Sequence, residues 1–242
     1  MRPMLVGNWK MHGDGSCLPL IARIAAAAEH HPGVAVTLCL PATLLDRARS
    51  VAPSLGLGGQ DCHPDLEGAH TGDLSAAMLR EAGAGLVLLG HSERRRDHHE
   101  DDALIAAKVQ AARAADLHVL LCVGETAQDR DAGRSADVVR DQLLGALTGR
   151  ALNGIAIAYE PVWAIGSDRT PDPAEVAAMA DTIRTTLANL SDQSVPVLYG
   201  GSVTPENGGG LFARGGIDGF LVGRQSLEPD AFTAILETMT RP

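Results

Sequence analysis

Short apolar segments recur along the whole chain. Eight of them have the length of a β-strand and cover residues 4–9, 34–40, 55–59, 86–90, 117–123, 155–159, 195–199 and 217–222. Their apolar residues follow one another continuously instead of alternating with polar ones. Such runs are typical of strands that are buried on both faces of a parallel sheet.

Segments with helical periodicity lie between these runs. Residues 18–30 are rich in Ala, and residues 102–115, 136–147 and 174–190 carry apolar residues three and four positions apart. Asp137 and Asp172 stand near the starts of two of these segments, where carboxylates are favoured. The pattern therefore predicts that strands alternate with helices.

This alternation predicts a parallel sheet with helical crossovers. The 242 residues fit a closed (β/α)8 barrel of the TIM-barrel type, a fold of about 250 residues. A doubly wound open sheet is the alternative. It normally has fewer strands at this length, and no Gly-x-Gly-x-x-Gly follows the first predicted strand. We predict an α/β protein whose residues 1–242 form a single barrel domain.

The C-terminal ends of the predicted strands collect polar residues, and reactive groups of barrels lie at these ends. Glu160 ends the sixth strand and is followed by the segment 161–171, which has a proline at each end. An isolated strand-end Glu is more often a solvated surface group. Beside a loop with stiff ends, however, it suggests a general base under a lid. The other strand ends supply Asn8, Lys10, Gln60, His91, Glu93 and Glu125.

Glycine-containing turns follow the seventh and eighth predicted strands. They contain Gly200, Gly201 and Ser202 in the first case, and Gly223 and Arg224 in the second. Turns that lead into helices present backbone N–H groups to a phosphate, and barrels often bind phosphate in these loops. Turn glycines that need a positive φ are the alternative interpretation.

A carboxylate base facing an imidazole and an ammonium group suits proton abstraction next to a carbonyl group. Glu160 would remove the carbon-bound proton, while His91 and Lys10 would stabilise the oxygen anion of the enediol. A lid would protect an enediol phosphate from water. This chemistry needs neither a cofactor nor a metal.

Composition and charge narrow the classes of partner. The net charge of -10 argues against a nucleic acid or a membrane surface as the main partner, although a locally positive pocket can still bind an anion. The hydrophobic content of 45% with only 3% aromatics predicts an aliphatic core. No apolar run approaches the roughly 18 residues of a membrane span, and no signal sequence is evident. We predict a reduced, cytoplasmic location.

Cysteine and histidine spacing predicts no metal site. The cysteines at 17, 39, 62 and 122 match neither a C-x-x-C pair nor a zinc site. Cys39 and Cys122 lie in predicted strands, where an inert buried thiol is expected. The histidine pairs at 30–31 and 98–99 are adjacent in sequence and point in different directions on a helix.

Several motifs at these strand ends carry a family resemblance. The chain resembles the triose-phosphate isomerase family over nearly its whole length. The motifs are Gly7-Asn8-Trp9-Lys10-Met11, Thr71-Gly72, Gly90-His91-Ser92-Glu93-Arg94-Arg95, Cys122-Val123-Gly124-Glu125-Thr126, residues 158–166 and Tyr199-Gly200-Gly201-Ser202-Val203.

The resemblance implies an intramolecular oxidoreductase of glycolysis and gluconeogenesis that interconverts glyceraldehyde 3-phosphate and dihydroxyacetone phosphate. It implies that Glu160 is the base and His91 a neutral electrophile, a pairing that is the established pattern of this family. Lys10 and Asn8 match the family's electrostatic contacts, and Glu93 matches an acid that supports Lys10.

The resemblance also implies a phosphate site and a homodimer. Gly166, Ser202 and the turn after the eighth strand match the backbone donors to the phosphate. Thr71 matches a residue that reaches the Asn and Lys of the neighbouring subunit, on a loop at 61–72 that inserts into it.

Four residues depart from the family pattern. Asp168 stands in the lid where a glycine is usual, and Pro171 stiffens the second hinge. Arg224 replaces the second glycine of the phosphate turn, and Asp61 replaces an Asn near the dimer loop. These changes affect the lid and the phosphate contacts more than the acid–base set. Two alternatives therefore stay open: an isomerase of a four-carbon erythrulose phosphate, and a non-catalytic sugar-phosphate-binding protein.

Overall fold

Eight parallel strands form a closed barrel in the computed structural model, which describes residues 2–165 and 170–240. Met4 of the first strand lies opposite Ala35 on one side and Gly219 on the other, which closes the sheet. The predicted barrel is confirmed, and the open sheet is wrong. The strands are β1 Met4–Asn8, β2 Ala35–Cys39, β3 Gly56–Gly59, β4 Leu86–Leu89, β5 His118–Val123, β6 Ile155–Tyr159, β7 Val197–Gly201 and β8 Gly219–Val222.

Helices connect the strands and surround the barrel. Within the described ranges they are α1 Leu18–Glu29, α2 Ala42–Val51, α3 Ala76–Glu81, α4 Ser92–Asp97, α5 Asp102–Ala114, α6 Ala127–Asp131, α7 Ser135–Leu147, α8 Pro173–Ala188, α9 Pro205–Arg214 and α10 Pro229–Thr238. Short 3-10 turns cover Gly15–Cys17, Val162–Ala164 and Arg224–Leu227. The four predicted helical segments agree with α1, α5, α7 and α8 to within two residues.

The seventh strand starts and ends two residues later than predicted. Pro196 has no N–H to donate to the sheet, so it precedes the strand, and its carbonyl accepts the Ile157 N–H at 2.8 Å. Val197 N–H donates instead to the Asp218 carboxylate at 2.9 Å. As a result Gly200 and Gly201 lie in the strand itself and not in the turn that follows it.

The apolar residues form two layers, one inside the barrel and one between the barrel and its helices. The inner layer contains no aromatic ring, as the composition predicts, and consists of Val6, Cys39, Leu86, Leu88, Leu120, Cys122, Ala156, Ala158, Leu198 and Leu221. Burial raises the pKa of the Cys39 and Cys122 thiols, so both stay protonated and inert.

A capping box fixes the start of α8. The Asp172 carboxylate accepts the Ala174 N–H at 2.8 Å, and the Glu175 carboxylate accepts the Asp172 N–H at 2.9 Å. Pro173 occupies the first helical turn, where its missing N–H costs nothing. The far end of the segment 161–171 is therefore anchored. No helix within residues 2–165 and 170–240 is long and apolar enough to cross a bilayer.

Candidate active site

A cavity of about 640 Å³ opens at the C-terminal end of the barrel. Residues from five strand ends line it, and most were predicted as site residues. Gly166 and Asp168 lie outside the described residues, and Thr71 lies on a separate loop. The predicted residues that line the cavity are Asn8, Lys10, His91, Glu93, Glu160, Gly200, Gly201, Ser202, Gly223 and Arg224.

Glu160 reaches the cavity from the end of β6. Its own N–H donates to the Val123 carbonyl at 2.8 Å, which continues the pairing of β6 with β5 by one residue. The residue is only 3% exposed. One carboxylate oxygen lies 3.0 Å from His91 Nε2, and the other accepts the Ser92 N–H at 3.0 Å. Burial alone would raise the pKa of Glu160, but these contacts lower it overall, so the buried group is ionised.

His91 caps the N-terminus of α4 with its ring. Its Nδ1 accepts the Glu93 N–H at 3.2 Å, so the proton of the neutral ring is on Nε2, the atom that faces Glu160. Burial lowers the pKa of His91 and the adjacent Glu160 carboxylate raises it, with a net upward shift. This upward effect depends on Glu160 lying against the ring. When Glu160 turns away, burial and the Glu93 N–H both favour the neutral imidazole.

Lys10 enters the cavity from the end of β1 with a left-handed backbone, at φ 52°. A non-glycine residue holds such a conformation only where its surroundings fix it. The Lys10 N–H donates to the Asn8 side chain at 3.0 Å, and the Gln60 amide donates to the Lys10 carbonyl at 2.9 Å. Its ammonium group lies 2.6 Å from a Glu93 oxygen. Asn8, Gln60 and Glu93 thus position the cation.

Glycines at the end of β7 and in the turn after β8 also line the cavity. Gly200, Gly201 and Gly223 are not among the residues with positive φ, so the turn interpretation of these glycines is wrong. Close approach explains Gly200, because a Cβ there would lie 3.0 Å from Glu160 Cγ. A Cβ at Gly223 would lie 3.6 Å from Lys10 Cε, so this turn is next to the cation.

Hydrogen bonds attach the N-terminal part of the segment 161–171 to Glu125, which follows β5. Trp163 Nε1 donates to Glu125 Oε1 at 2.7 Å, and the Tyr159 hydroxyl donates to the same oxygen at 3.1 Å. The Arg130 guanidinium lies 3.7 Å above the Trp163 ring. Burial raises the pKa of Glu125. Sequence reasoning noted Glu125 and Gln60 as strand-end residues but assigned neither a role.

Comparisons with known proteins show the family of the chain. The family profile described as "Triosephosphate isomerase" matches residues 3–239. The chain belongs to the triosephosphate isomerase family. It is 45% identical to the triosephosphate isomerase of Ruegeria sp. (strain TM1040), over 98% of each chain. It is 48% identical to that of Brucella abortus biovar 1 (strain 9-941), over 98% of this chain and 97% of the relative.

A solved structure gives the same result for the fold. The crystal structure of triosephosphate isomerase from Bartonella henselae superposes on this chain with a TM-score of 0.93 at 41% identity, and each chain is covered completely. The predicted membership of the triosephosphate isomerase family is confirmed, and the chain is an isomerase of the intramolecular oxidoreductase class.

A buried ion network lies where this triosephosphate isomerase chain has Asp61 instead of the expected Asn. Lys108 Nζ lies 2.8 Å from Asp61 and 2.6 Å from Glu100. Arg94 contacts the same two carboxylates at 2.9 and 2.6 Å. Burial raises the pKa of Asp61. Burial also acts to raise the pKa of Glu100, but hydrogen bonds from Lys108 and Arg94 lower it overall.

Proposed function

We propose that Glu160, His91 and Lys10 carry out the interconversion of glyceraldehyde 3-phosphate and dihydroxyacetone phosphate, the reaction of the family to which this chain belongs. The observation that carries the assignment is the 3.0 Å contact between the Glu160 carboxylate and His91 Nε2. Lys10 lines the same cavity. A three-carbon substrate entering this space therefore meets a base, a neutral N–H donor and a cation together.

The reaction begins when the Glu160 carboxylate turns from the Ser92 N–H toward the substrate. It removes a proton from the carbon next to the carbonyl group, and the bonding electron pair moves onto the carbonyl oxygen. His91 Nε2–H and the Lys10 ammonium stabilise that oxygen. The former carbonyl oxygen takes up a proton, the hydroxyl group on the carbon that lost its hydrogen gives one up, and the proton on Glu160 returns to the neighbouring carbon, so the product differs from the substrate only in where hydrogen and carbonyl lie. Asn8 and Glu93 position Lys10.

The phosphate group of the substrate is assigned to the two glycine turns. Ser202 and Gly223, with the flanking Gly200, Gly201 and Arg224, line the cavity at the ends of β7 and β8. The Gly223 turn is adjacent to the Lys10 side chain, which adds a positive charge. Gly166 keeps its proposed role as a further backbone donor on the basis of the family resemblance.

Neither of the two alternatives is favoured. The relatives at 45% and 48% identity carry the name triosephosphate isomerase and match nearly the full chain, so no observation favours a four-carbon substrate. A binding protein without catalysis would not need a base in contact with an imidazole. Substitution at Asp61 leaves the acid–base residues in place.

Replacing Glu160 with Gln tests the assignment. Loss of a positioned base lowers kcat by about 10²–10⁴-fold with a modest change in KM. Glu81→Gln is the matched control. Glu81 is exposed on α3, so this substitution removes the same charge without affecting the cavity. Steady-state kinetics in both directions provide the measurement. Full activity of the Glu160 variant would remove this residue from the role of base.

A homodimer in the cytoplasm completes the proposed function. Apolar side chains are exposed next to the site and along the loop after β3: Met11 is 95% exposed and Leu66 69%, with Leu74 and Met78 nearby in the sequence. Such a patch marks an interaction surface, and Thr71 is exposed on the same loop. Light scattering at micromolar concentration should give twice the mass of the chain, and a monomeric mass would exclude the dimer.

A further inference from the structure

One side chain of α7 binds the backbone just after β5 through two hydrogen bonds. Gln142 Oε1 accepts the Gly124 N–H at 2.8 Å, and Gln142 Nε2 donates to the Gly124 carbonyl at 3.1 Å. The proposed reaction assigns no role to this contact. Gln142 does not line the cavity, so it can act on the reaction only through the backbone that it holds.

A carboxamide suits this place because it carries a donor and an acceptor side by side. It can therefore pair with both polar groups of one backbone residue. Val139, Leu143 and Ala146 are the buried residues of α7 near this point, and Gln142 lies on the same face of the helix by its spacing. For one residue, the side chain takes the place of a neighbouring strand.

Gly124 lies directly against the backbone of Glu160. A Cβ at Gly124 would overlap the Glu160 carbonyl oxygen, so only glycine leaves room for this contact. The Glu160 N–H donates to the Val123 carbonyl at 2.8 Å, on one side of Gly124. On the other side, the Val162 N–H donates to the Glu125 carbonyl at 3.1 Å. A shift of Gly124 therefore moves the backbone that carries the Glu160 carboxylate.

The Glu160 carboxylate has little room for such a shift. One oxygen lies 3.0 Å from His91 Nε2, and the other accepts the Ser92 N–H at 3.0 Å. The side chain is buried, and a Cβ at Gly200 would lie 3.0 Å from its Cγ. Misplacement of a reacting group by about 1 Å can lower the rate by roughly 10²-fold. The position of the backbone at Glu160 therefore matters for the rate.

From these contacts we propose that Gln142 is a positioning residue for the isomerisation. Its two hydrogen bonds fix Gly124, and Gly124 fixes the backbone from which the Glu160 carboxylate reaches the substrate. This inference rests on the proposed role of Glu160 as the base. Gln142 itself touches neither the substrate nor the reacting atoms.

The same two hydrogen bonds support the residue that holds the start of the segment 161–171. Glu125 directly follows Gly124, and its carboxylate accepts the Trp163 indole N–H at 2.7 Å. A displaced Gly124 would move Glu125 as well, and the contact with Trp163 would change. The environment of Trp163 therefore reports on the position of Gly124 without any need for catalysis.

Gln142→Met tests the proposal by steady-state kinetics on triose phosphates. Methionine has nearly the same length, but it offers no N–H donor and only a weak acceptor. We expect kcat to fall about 10–100-fold while KM changes less than about twofold, because the base is displaced and the phosphate contacts are not. Gln142→Asn is a second variant in case the first folds poorly. Its amide is one methylene too short to reach both groups, so kcat should also fall.

Gln110→Met and Val139→Ala are the controls, and both should keep the kcat of the parent chain. Gln110 is exposed on α5, so its replacement removes an amide without affecting Gly124. Val139 is fully buried one turn before Gln142, so its truncation weakens the packing of α7 but leaves both hydrogen bonds. An equal loss of kcat in Val139→Ala and Gln142→Met would reveal a general packing effect and overturn the proposal.

The indole N–H signals in an NMR spectrum provide the second readout. The chain has two tryptophans. Trp163 donates to the Glu125 carboxylate, whereas Trp9 donates to the Ser226 carbonyl at 2.9 Å. Gln142→Met should shift the Trp163 signal and leave the Trp9 signal in place. A loss of kcat without a shift of the Trp163 signal would contradict the proposal, because Gly124 would not have moved.

Glu160→Gln, measured beside these variants, separates this inference from the assignment of the base. If Glu160→Gln loses activity and both Gln142 variants keep the kcat of the parent chain, the role of Gln142 fails and the base assignment stands. Full activity of Glu160→Gln would overturn the base assignment and the role of Gln142 with it.

Discussion

Two buried carboxylates, one at the active site and one in the connection between α4 and α5, differ in the partners around them. Glu160 is 3% exposed and contacts the His91 ring and one backbone N–H. Glu100 is 4% exposed and contacts the Lys108 ammonium and the Arg94 guanidinium, each at 2.6 Å. Both carboxylates have a lowered pKa. A buried acid held by two permanent cations is fixed, whereas one held by an imidazole and a backbone N–H is free to react.

The difference follows from the strength of the contacts. A hydrogen bond from a neutral donor to an ionised carboxylate contributes about 1.5–3 kcal/mol, whereas breaking a buried ion pair costs about 3–5 kcal/mol. Glu160 can therefore leave the Ser92 N–H at small cost when a substrate offers a proton. Glu100 would have to abandon two charged partners at once. The first arrangement suits catalysis and the second suits stability.

Glu100→Gln should give the largest change in stability. Removing one member of a buried ion network leaves the Lys108 and Arg94 charges short of a partner, which costs about 3–5 kcal/mol. Urea unfolding at one fixed protein concentration measures the free energy of unfolding. The folded fraction should keep its kcat, because Glu100 does not line the cavity.

Glu160→Gln should show the opposite behaviour when its kinetics and its urea unfolding are measured. We expect a large loss of kcat and a small change in the free energy of unfolding. The comparison fails if Glu100→Gln lowers kcat of the folded protein as strongly as Glu160→Gln does. It also fails if the two variants lose equal stability, since then burial alone and not the partners would decide the outcome.

Asp61→Asn should have a smaller effect, of about 1 kcal/mol or less at pH 7. Burial raises the pKa of Asp61 more than Lys108 lowers it, so the ionised carboxylate is an unfavourable member of the network. An amide keeps an oxygen that can accept from Lys108. The free energy of unfolding of this variant should therefore stay close to that of the parent chain.

The pH dependence of the Asp61→Asn effect has a defined sign. A carboxyl group with a raised folded pKa contributes stability that is present below its unfolded pKa of about 3.9 and is lost as pH rises through the folded pKa. The amide has no such loss. The unfolding free energy of the variant minus that of the parent should increase from pH 4 to pH 7, and a decrease would show that the ion pairs of Asp61 dominate.

The sequence predicts the barrel well because each strand is a short apolar run between polar segments. β6 agrees with its predicted limits at both ends, and β7 is shifted only because Pro196 cannot enter the ladder. The grouping of Glu160, His91 and Lys10 at one cavity could be predicted for the same reason. Glu160, His91 and Lys10 directly follow strands, and parallel strands of a barrel end on the same face.

Contacts between distant loop residues could not be predicted in this way. Gln60 donates to the backbone of Lys10, 50 residues away, and nothing in its local pattern indicates that partner. His63 and His70 are seven residues apart on a loop with no regular period, so the sequence does not indicate that their rings lie 4.0 Å apart. Sequence reasoning considered adjacent histidine pairs instead. Periodicity guides strands and helices but gives no information about such loops.

Arg224→Gly should produce the smallest effect, at the active-site end of the barrel. Arg224 is exposed at the rim of the cavity, and among the described residues it forms no ion pair. Solvent screens a cation in this position, so it attracts an anionic substrate without holding it tightly. KM for triose phosphate should rise about two- to threefold with kcat unchanged, and the difference should shrink as salt is added.

Arg150→Gly removes the same charge from the opposite end of the barrel, shortly before β6, and should leave KM unchanged. If Arg224→Gly instead lowers kcat by more than about tenfold, the guanidinium must contact the reacting molecule directly. The active-site end would then contain a second fixed charge beside Lys10. The contrast with the tightly held ion network would then hold for the Glu160 carboxylate, and it would not extend to the other charged groups at the rim of the cavity.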